Sequence, residues 1–104
     1  MAITRAFKPV SIKISRSKRA DKKWMALFED ADKRTRKVHF GAKGMSDYTL
    51  HKDEGRKKKY IARHTKNESW NDPMSAGALS RWILWELISF KDAIKEYKKR
   101  FNLK

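Results

Sequence analysis

The stretch VSIKIS, residues 10–15, decides the fold class, because its apolar and polar residues alternate strictly. A period of two is typical of a β-strand with one buried face. Trp24, Ala26 and Phe28 form one face of a second predicted strand, with Met25 and Leu27 on the other, and the stretch KVHF, residues 37–40, predicts a short third strand. The segments between them, residues 16–21 and 29–33, are short and charged. Three successive strands with short connections predict an antiparallel meander.

The middle of the chain predicts a first helix from Lys52 to Lys66. Thr49 is its expected cap, and Asp53 and Glu54 are expected in its first turn. Tyr60, Ile61 and His64 follow i, i+3, i+4 spacing, which places them on one face.

The C-terminal third predicts two more helices. Asp72-Pro73 suits a helix start, with Asp72 as the cap, and this helix continues to Glu86. Its apolar residues Leu79, Trp82, Ile83 and Trp85 crowd one side. Ser89 and Asp92 fit a capping box for a last helix, which directs Phe90, Ile94, Tyr97 and Phe101 inward.

The resulting fold class is α+β, a small three-stranded antiparallel sheet packed against two or three helices. No internal repeat and no Gly/Ser/Pro-rich linker divides the chain, so a single domain is predicted. Within it, residues 1–23 form a basic N-terminal arm and the first strand, and residues 24–104 form the remainder.

Composition narrows the function classes. The 104 residues carry 27 Lys and Arg against 12 Asp and Glu, a formal net charge of +15. Aromatic residues make up 12% of the chain, which argues against simple disorder. The absence of Cys excludes disulfides, zinc–thiolate sites and cysteine nucleophiles. No apolar run is long enough to span a bilayer and no secretory signal is recognisable, so neither a membrane partner nor secretion is expected.

The positive charge predicts a polyanionic partner, of which nucleic acid is the commonest. Five cations recur at three- and four-residue steps along the first helix and form one predicted basic stripe: Lys52, Arg56, Lys59, Arg63 and Lys66. Arg16, Lys18 and Arg19 in the first turn are expected to support it. Such a stripe suits contacts to phosphates, whereas reading bases requires particular side chains at groove depth.

The aromatic residues have two interpretations. Trp24, Phe28 and Phe40 can stack on bases from an open sheet face, as in single-strand binders, or they can form the core. The core is the interpretation preferred here, with Trp70 as the expected exposed exception.

Three histidines raise the possibility of a metal site. His39, His51 and His64, with Asp47, Asp53 and Glu68 near in sequence, match no known ligand spacing. A small metal-dependent nuclease is therefore the third choice, and no metal and no cofactor is expected. Gly41 and Gly44 suit tight turns, and their loop lacks the Gly-Lys-Ser/Thr ending of a nucleotide-binding loop.

Several strings between Val38 and Phe101 are distinctive together: residues 39–49 (HFGAKGMSDYT), Arg63-His64, Asp72-Pro73 and residues 76–85 (AGALSRWILW). With them the chain resembles an uncharacterised family of short basic proteins encoded by large double-stranded DNA viruses of algae and protists. The resemblance covers the last two-thirds of the chain. It implies a viral setting, and it carries over no functional residue.

The expected function is a non-enzymatic, genome-associated nucleic-acid-binding protein that contacts mainly the phosphate backbone, with DNA preferred to RNA. The alternative is a minor structural virion protein that binds acidic capsid or core proteins, with Trp82, Trp85 and Phe101 at its interface. A small-molecule substrate is not expected. The expected location is the virion or the interior of the infected cell, in cytoplasm or nucleus.

Overall fold

Three antiparallel strands form the sheet of this protein in a computed structural model, which describes residues 6–66 and 69–104. The strands are β1 (Pro9–Arg16), β2 (Lys22–Asp30) and β3 (Thr35–Ala42), in the order β1-β2-β3. The period-two segments therefore form the predicted meander. The first five residues of the predicted basic arm lie outside the described residues.

The helical elements follow the sheet in sequence. They are α1 (Tyr48–His51), α2 (Glu54–His64), α3 (Ala76–Leu79), a π-helical turn (Ser80–Leu84) and α4 (Phe90–Arg100). Together with the sheet they confirm the α+β class. No helix in the described ranges is both long and apolar enough to cross a membrane.

The core lies between one face of the sheet and the C-terminal helices. Alternation places Ile12, Ala26, Phe28 and Phe40 on that face, and all four are buried. They meet residues of α3, the π-helical turn and α4, and the core cluster is completed by Leu79, Ile83, Leu84, Tyr97 and Leu103. The chain end also joins the sheet, since the Lys104 amide donates to the Val10 carbonyl at 3.0 Å.

The first predicted helix corresponds to α2, which is two residues shorter at each end. Lys52 has a left-handed φ of 57° and ends α1, a short helix that the sequence did not predict. Asp47 caps α1 in place of Thr49, and Asp53 is the cap of α2 and not part of its first turn. An aspartate carboxylate satisfies the free amides of a helix start without helical dihedrals of its own. Lys52 lies between α1 and α2, and Lys66 lies beyond the end of α2, so neither is a helical residue.

The second predicted helix begins later than expected. Asp72 accepts a hydrogen bond from the Met74 amide in a turn, and Ser75 is the cap of α3. The helical segment then widens into the π-helical turn and stops at Leu84, before Glu86. The predicted start of the last helix is confirmed, because the Ser89 hydroxyl accepts from the Asp92 amide at 3.2 Å.

Candidate nucleic-acid interface

Helix α2 is fixed to the rest of the domain by one aromatic stack and one lysine. The rings of Tyr60 and Trp85 lie parallel, 4.2 Å apart. Lys57 Nζ donates to the Glu86 carbonyl at 2.8 Å, and its side chain is only 19% exposed. Lys57 is thus a half-buried anchor, although its position within a basic run gives no hint of this. The anchored side of α2 determines which of its cations face outward.

The outward cations of α2 form one wall of a half-open groove of about 640 Å³. Arg56, Lys59 and Arg63 are exposed and line this wall, and Lys22 and Lys23 of β2 also line the groove. We call this depression the α2 groove. Its lining also includes the stacked rings of Tyr60 and Trp85. Five cations around one open depression concentrate positive potential where a polyanion can enter.

Asp47 holds the loop that borders the groove. Its carboxylate accepts a hydrogen bond from Lys23 Nζ at 2.5 Å, while the Lys23 ammonium also donates to the Met45 carbonyl at 2.8 Å. The same carboxylate accepts from the Thr49 amide at 3.0 Å and so caps α1. Asp47 is 2% exposed. One buried acid therefore joins β2 to α1 and fixes the position of Lys23.

Gly41 brings β3 close to the core beneath the groove. Its φ is +78°, and a Cβ there would lie 3.0 Å from Leu84 Cδ1 and 3.3 Å from Lys23 Cε. Gly44 shares a positive φ, +87°, but a Cβ there would meet no atom within 4 Å. Gly41 is therefore required both for its backbone conformation and for its close packing.

Gly41→Ala is expected to lower the free energy of unfolding by about 2 kcal/mol, because left-handed strain and overpacking add together. Gly44→Ala is the matched control and is expected to cost about 1 kcal/mol, the backbone strain alone. Urea denaturation of both variants measures the difference. Equal losses would show that the contact with Leu84 and Lys23 carries no cost.

A charged network supports the far side of α2. Arg81, which is 8% exposed, donates to Glu86 Oε1 at 2.8 Å, and Lys57 Nζ lies 3.6 Å from the same oxygen. Burial by itself raises the pKa of Glu86, but the hydrogen bond and charge of Arg81, with the charge of Lys57, hold this pKa below its ordinary value. The Arg81 guanidinium also lies 4.3 Å from the centre of the Trp82 ring. The contacts among Arg81, Glu86 and Lys57 therefore support α2 on the side away from the groove.

The structure separates the residues of the predicted stripe. Arg56, Lys59 and Arg63 share the groove, whereas Lys52 and Lys66 are exposed and are not part of its lining. The continuous five-residue helical stripe is therefore corrected to three cations on α2.

The supporting residues of the first turn also divide. Arg16 lines a second depression beside the groove, with its guanidinium 5.4 Å from the centre of the Trp24 ring. Lys18 and Arg19 are exposed and line neither depression, and Arg19 pairs with Asp21 at 3.0 Å. Sequence reasoning missed Lys22 and Lys23 as groove residues, although both stand in the first basic cluster.

The aromatic residues mostly follow the core interpretation. Phe28 and Phe40 are fully buried, which removes them from any base-stacking surface. Trp24 is half-buried and borders the second depression. The expected exposure of Trp70 is wrong: it is half-buried, and its carbonyl accepts from Trp82 Nε1 at 2.9 Å.

Trp82, Trp85 and Phe101 are packed against the core. These three side chains are partly buried, and their packing accounts for the apolar spacing within the fold itself.

The histidines do not converge. His39 Nδ1 lies 2.7 Å from the Ser17 hydroxyl, and His51 Nδ1 accepts from the Asp53 amide at 2.9 Å. His64 stacks on Tyr60 at 4.2 Å. Within residues 6–66 and 69–104, no group of three His, Asp or Glu side chains is arranged to hold a metal ion. Glu68, considered as a possible ligand, lies outside the described residues.

Comparison with known proteins identifies one family. Neither a curated protein nor a solved structure matches the chain. Residues 12–64 match a family of unknown function, DUF5754, and this span includes most of β1, all of β2, β3, α1 and α2, and every cation of the α2 groove. Because that match covers half of its length, the chain belongs to the DUF5754 family.

Proposed function

We propose that this protein is a non-enzymatic nucleic-acid-binding protein that holds the phosphate backbone in the α2 groove. The observation that carries the proposal is the arrangement of five cations, Arg56, Lys59 and Arg63 together with Lys22 and Lys23, around one half-open depression. Of these, Lys23 is paired with Asp47, which leaves the other cations to face a ligand. Neutralising several phosphates releases condensed counterions and makes such binding strongly salt-dependent.

The net charge of the whole chain supports a polyanion as the partner. At +15 on 104 residues, self-repulsion opposes the compact state unless an anionic partner offsets it. The resemblance to proteins of large DNA viruses extends the proposal to a genome-associated role in the virion or the infected cell, with DNA preferred to RNA. An acidic capsid or core protein is the competing partner, and weak binding of the protein to nucleic acids would favour it.

The test compares two triple variants that remove the same number of charges. R56Q/K59Q/R63Q neutralises the α2 wall, and K91Q/K95Q/K99Q neutralises three exposed lysines of α4 that line neither depression. Fluorescence anisotropy measures the affinity for labelled duplex DNA, single-stranded DNA and RNA at several salt concentrations. The α4 variant is the control, because it loses the same number of positive charges at a surface away from the groove.

For the α2 variant we expect affinity at low salt to fall about tenfold or more, and the salt slope to flatten by roughly one unit for each lost phosphate contact. The α4 variant is expected to retain most of its affinity. Equal losses in both variants would contradict a site at the α2 groove. Weak binding of the wild type to all three nucleic acids would reject the proposed function in favour of an acidic protein partner.

A further inference from the structure

A second depression of about 560 Å³ lies beside the α2 groove and has a different chemical character. One part of its wall is the stacked pair Trp24 and Phe90, whose ring centres are 4.5 Å apart. Leu50 and Ile88 also line it and are 63% and 47% exposed. We call this depression the Trp24 pocket.

The apolar surface of this pocket is unusual for the protein. Leu50 and Ile88 are two of the four exposed large hydrophobic residues in the described part of the chain. Exposed apolar side chains grouped in a concavity are typical of a ligand site, because a ligand that covers them removes apolar surface from water. The pocket therefore favours a ligand with an apolar or planar group.

Cations border the same pocket. Arg16, Lys22 and Lys43 contribute to its lining, and the Arg16 guanidinium lies 5.4 Å from the centre of the Trp24 ring. A guanidinium plane and an apolar wall together suit a nucleobase, which stacks on arginine as well as on aromatic rings. The ammonium groups suit an anion attached to that base.

The pocket and the groove share part of their lining. Lys22, Lys23 and Asp47 line both depressions. A nucleic-acid strand whose phosphates lie between Lys22 and the α2 cations would therefore run next to the Trp24 pocket. A nucleic acid repeats one phosphate and one planar base, which matches a cationic groove beside an apolar pocket.

Resting on the proposed function, we propose that the ligand is a single-stranded nucleic acid, with its phosphates in the α2 groove and one unpaired base in the Trp24 pocket. The bases of a duplex are stacked inside the helix and cannot enter a side pocket without leaving the stack. A single strand presents unstacked bases at no such cost. The pocket thus gives the protein a preference for single strands that the cationic groove alone would not produce.

The experiment uses the full chain and three labelled probes of equal length: a single-stranded oligonucleotide, its duplex, and an oligomer of abasic deoxyribose phosphates. The pocket variants are Leu50→Ser and Ile88→Ser, whose exposed side chains make little contribution to the fold. Val10→Ser is the matched control, because Val10 is 40% exposed and lines neither depression. Affinities are measured by fluorescence anisotropy at one moderate salt concentration.

We expect the wild type to bind the single strand about fivefold or more tightly than the duplex or the abasic oligomer. This difference in affinity is what the binding of one base in the pocket should contribute. Each pocket variant should lose most of this advantage while its affinity for the abasic oligomer is unchanged. Val10→Ser should behave as the wild type does.

Two outcomes would overturn the inference while leaving the proposed function intact: equal binding of the abasic oligomer and the single strand, or a duplex bound as tightly as the single strand. Pocket variants that keep the full preference for the single strand would also overturn it. If no probe binds the wild type, the proposed function fails and this inference fails with it.

Discussion

Glu86→Gln is expected to lower the free energy of unfolding by about 3 kcal/mol, because it leaves two neighbouring cations without their shared acid. Arg81 is 8% exposed and lies 2.8 Å from Glu86 Oε1, and Lys57 lies 3.6 Å from the same atom. Glutamine preserves the shape of the side chain but not its charge. The guanidinium then stays buried with reduced compensation, which is more costly than the loss of an exposed pair. Urea denaturation at neutral pH measures the change.

The same network predicts a pH dependence. Because the pKa of Glu86 in the folded protein lies below its ordinary value of 4.5, the unfolded chain binds more protons at this group than the folded protein does. The contribution of Glu86 to stability is therefore complete above that ordinary value and is lost as pH falls through the lower, folded pKa. The variant should show less acid destabilisation than the wild type over this range.

Glu29→Gln is the control, since it makes the same change in an exposed pair. Glu29 and Lys33 lie 3.7 Å apart, and their side chains are 40% and 85% exposed. Solvent screening limits the expected effect to about 0.5 kcal/mol. A loss for Glu86→Gln no larger than that for Glu29→Gln would show that Arg81 and Lys57 are adequately solvated without the acid.

The sheet was predictable because one local rule determines it. A strand with one buried face alternates, and residues 10–15 do so without interruption, whereas residues 24–28 place Trp24, Ala26 and Phe28 on one face and two more apolar residues on the other. Once Ala26 and Phe28 occupy the buried face, the register places Ile12 and Phe40 on that face too. Short charged turns leave few alternatives to an antiparallel meander.

The helical half was less predictable because its ends depend on contacts that the local sequence does not specify. Lys52 adopts a left-handed conformation that lysine rarely favours, and this divides α1 from α2. Asp47, which caps α1 in place of Thr49, also accepts a hydrogen bond from Lys23, which is 24 residues away in sequence. Helical periodicity in the segment after Ser75 does not reveal that it widens into a π-helical turn.

The candidate site was predictable in its charge and not in its shape. Spacing along α2 correctly groups Arg56, Lys59 and Arg63, because residues three and four apart share a helix face. It also groups Lys52 and Lys66, which lie beyond the helix ends. The other cations of the groove are Lys22 and Lys23 of β2, and only the tertiary fold brings a strand and a distant helix together.

The groove is cationic, yet two buried or half-buried acids position its walls. Glu86 holds Lys57 behind α2, and Asp47 holds Lys23 at the start of β2. In each case the acid pairs with a lysine that has a structural role, and it does not pair with Arg56, Lys59 or Arg63. The arrangement of the basic surface therefore depends on a few acids, which enter the net charge only as a reduction of it.

Asp47→Ala is expected to lower the free energy of unfolding by about 3 kcal/mol, because it removes a helix cap and half of a buried ion pair together. The Asp47 carboxylate accepts from the Thr49 amide at 3.0 Å and from Lys23 Nζ at 2.5 Å, and it also accepts from the Thr49 hydroxyl. Alanine leaves these donors without their acceptor, and the side chain of Lys23, only 18% exposed, without its counter-charge. Chemical denaturation measures the loss.

Asp53→Ala is the control that separates the cap from the ion pair. Asp53 is exposed and caps α2 through the Gly55 and Arg56 amides, at 2.9 and 3.2 Å, so its loss is expected to cost about 1 kcal/mol. Asp47→Asn should fall between the two alanine variants, because the asparagine oxygen still caps α1 but carries no charge for Lys23. If Asp47→Ala costs no more than Asp53→Ala, the buried pair with Lys23 adds nothing to stability. The loop beside the α2 groove would then be held by its backbone and by the cap alone.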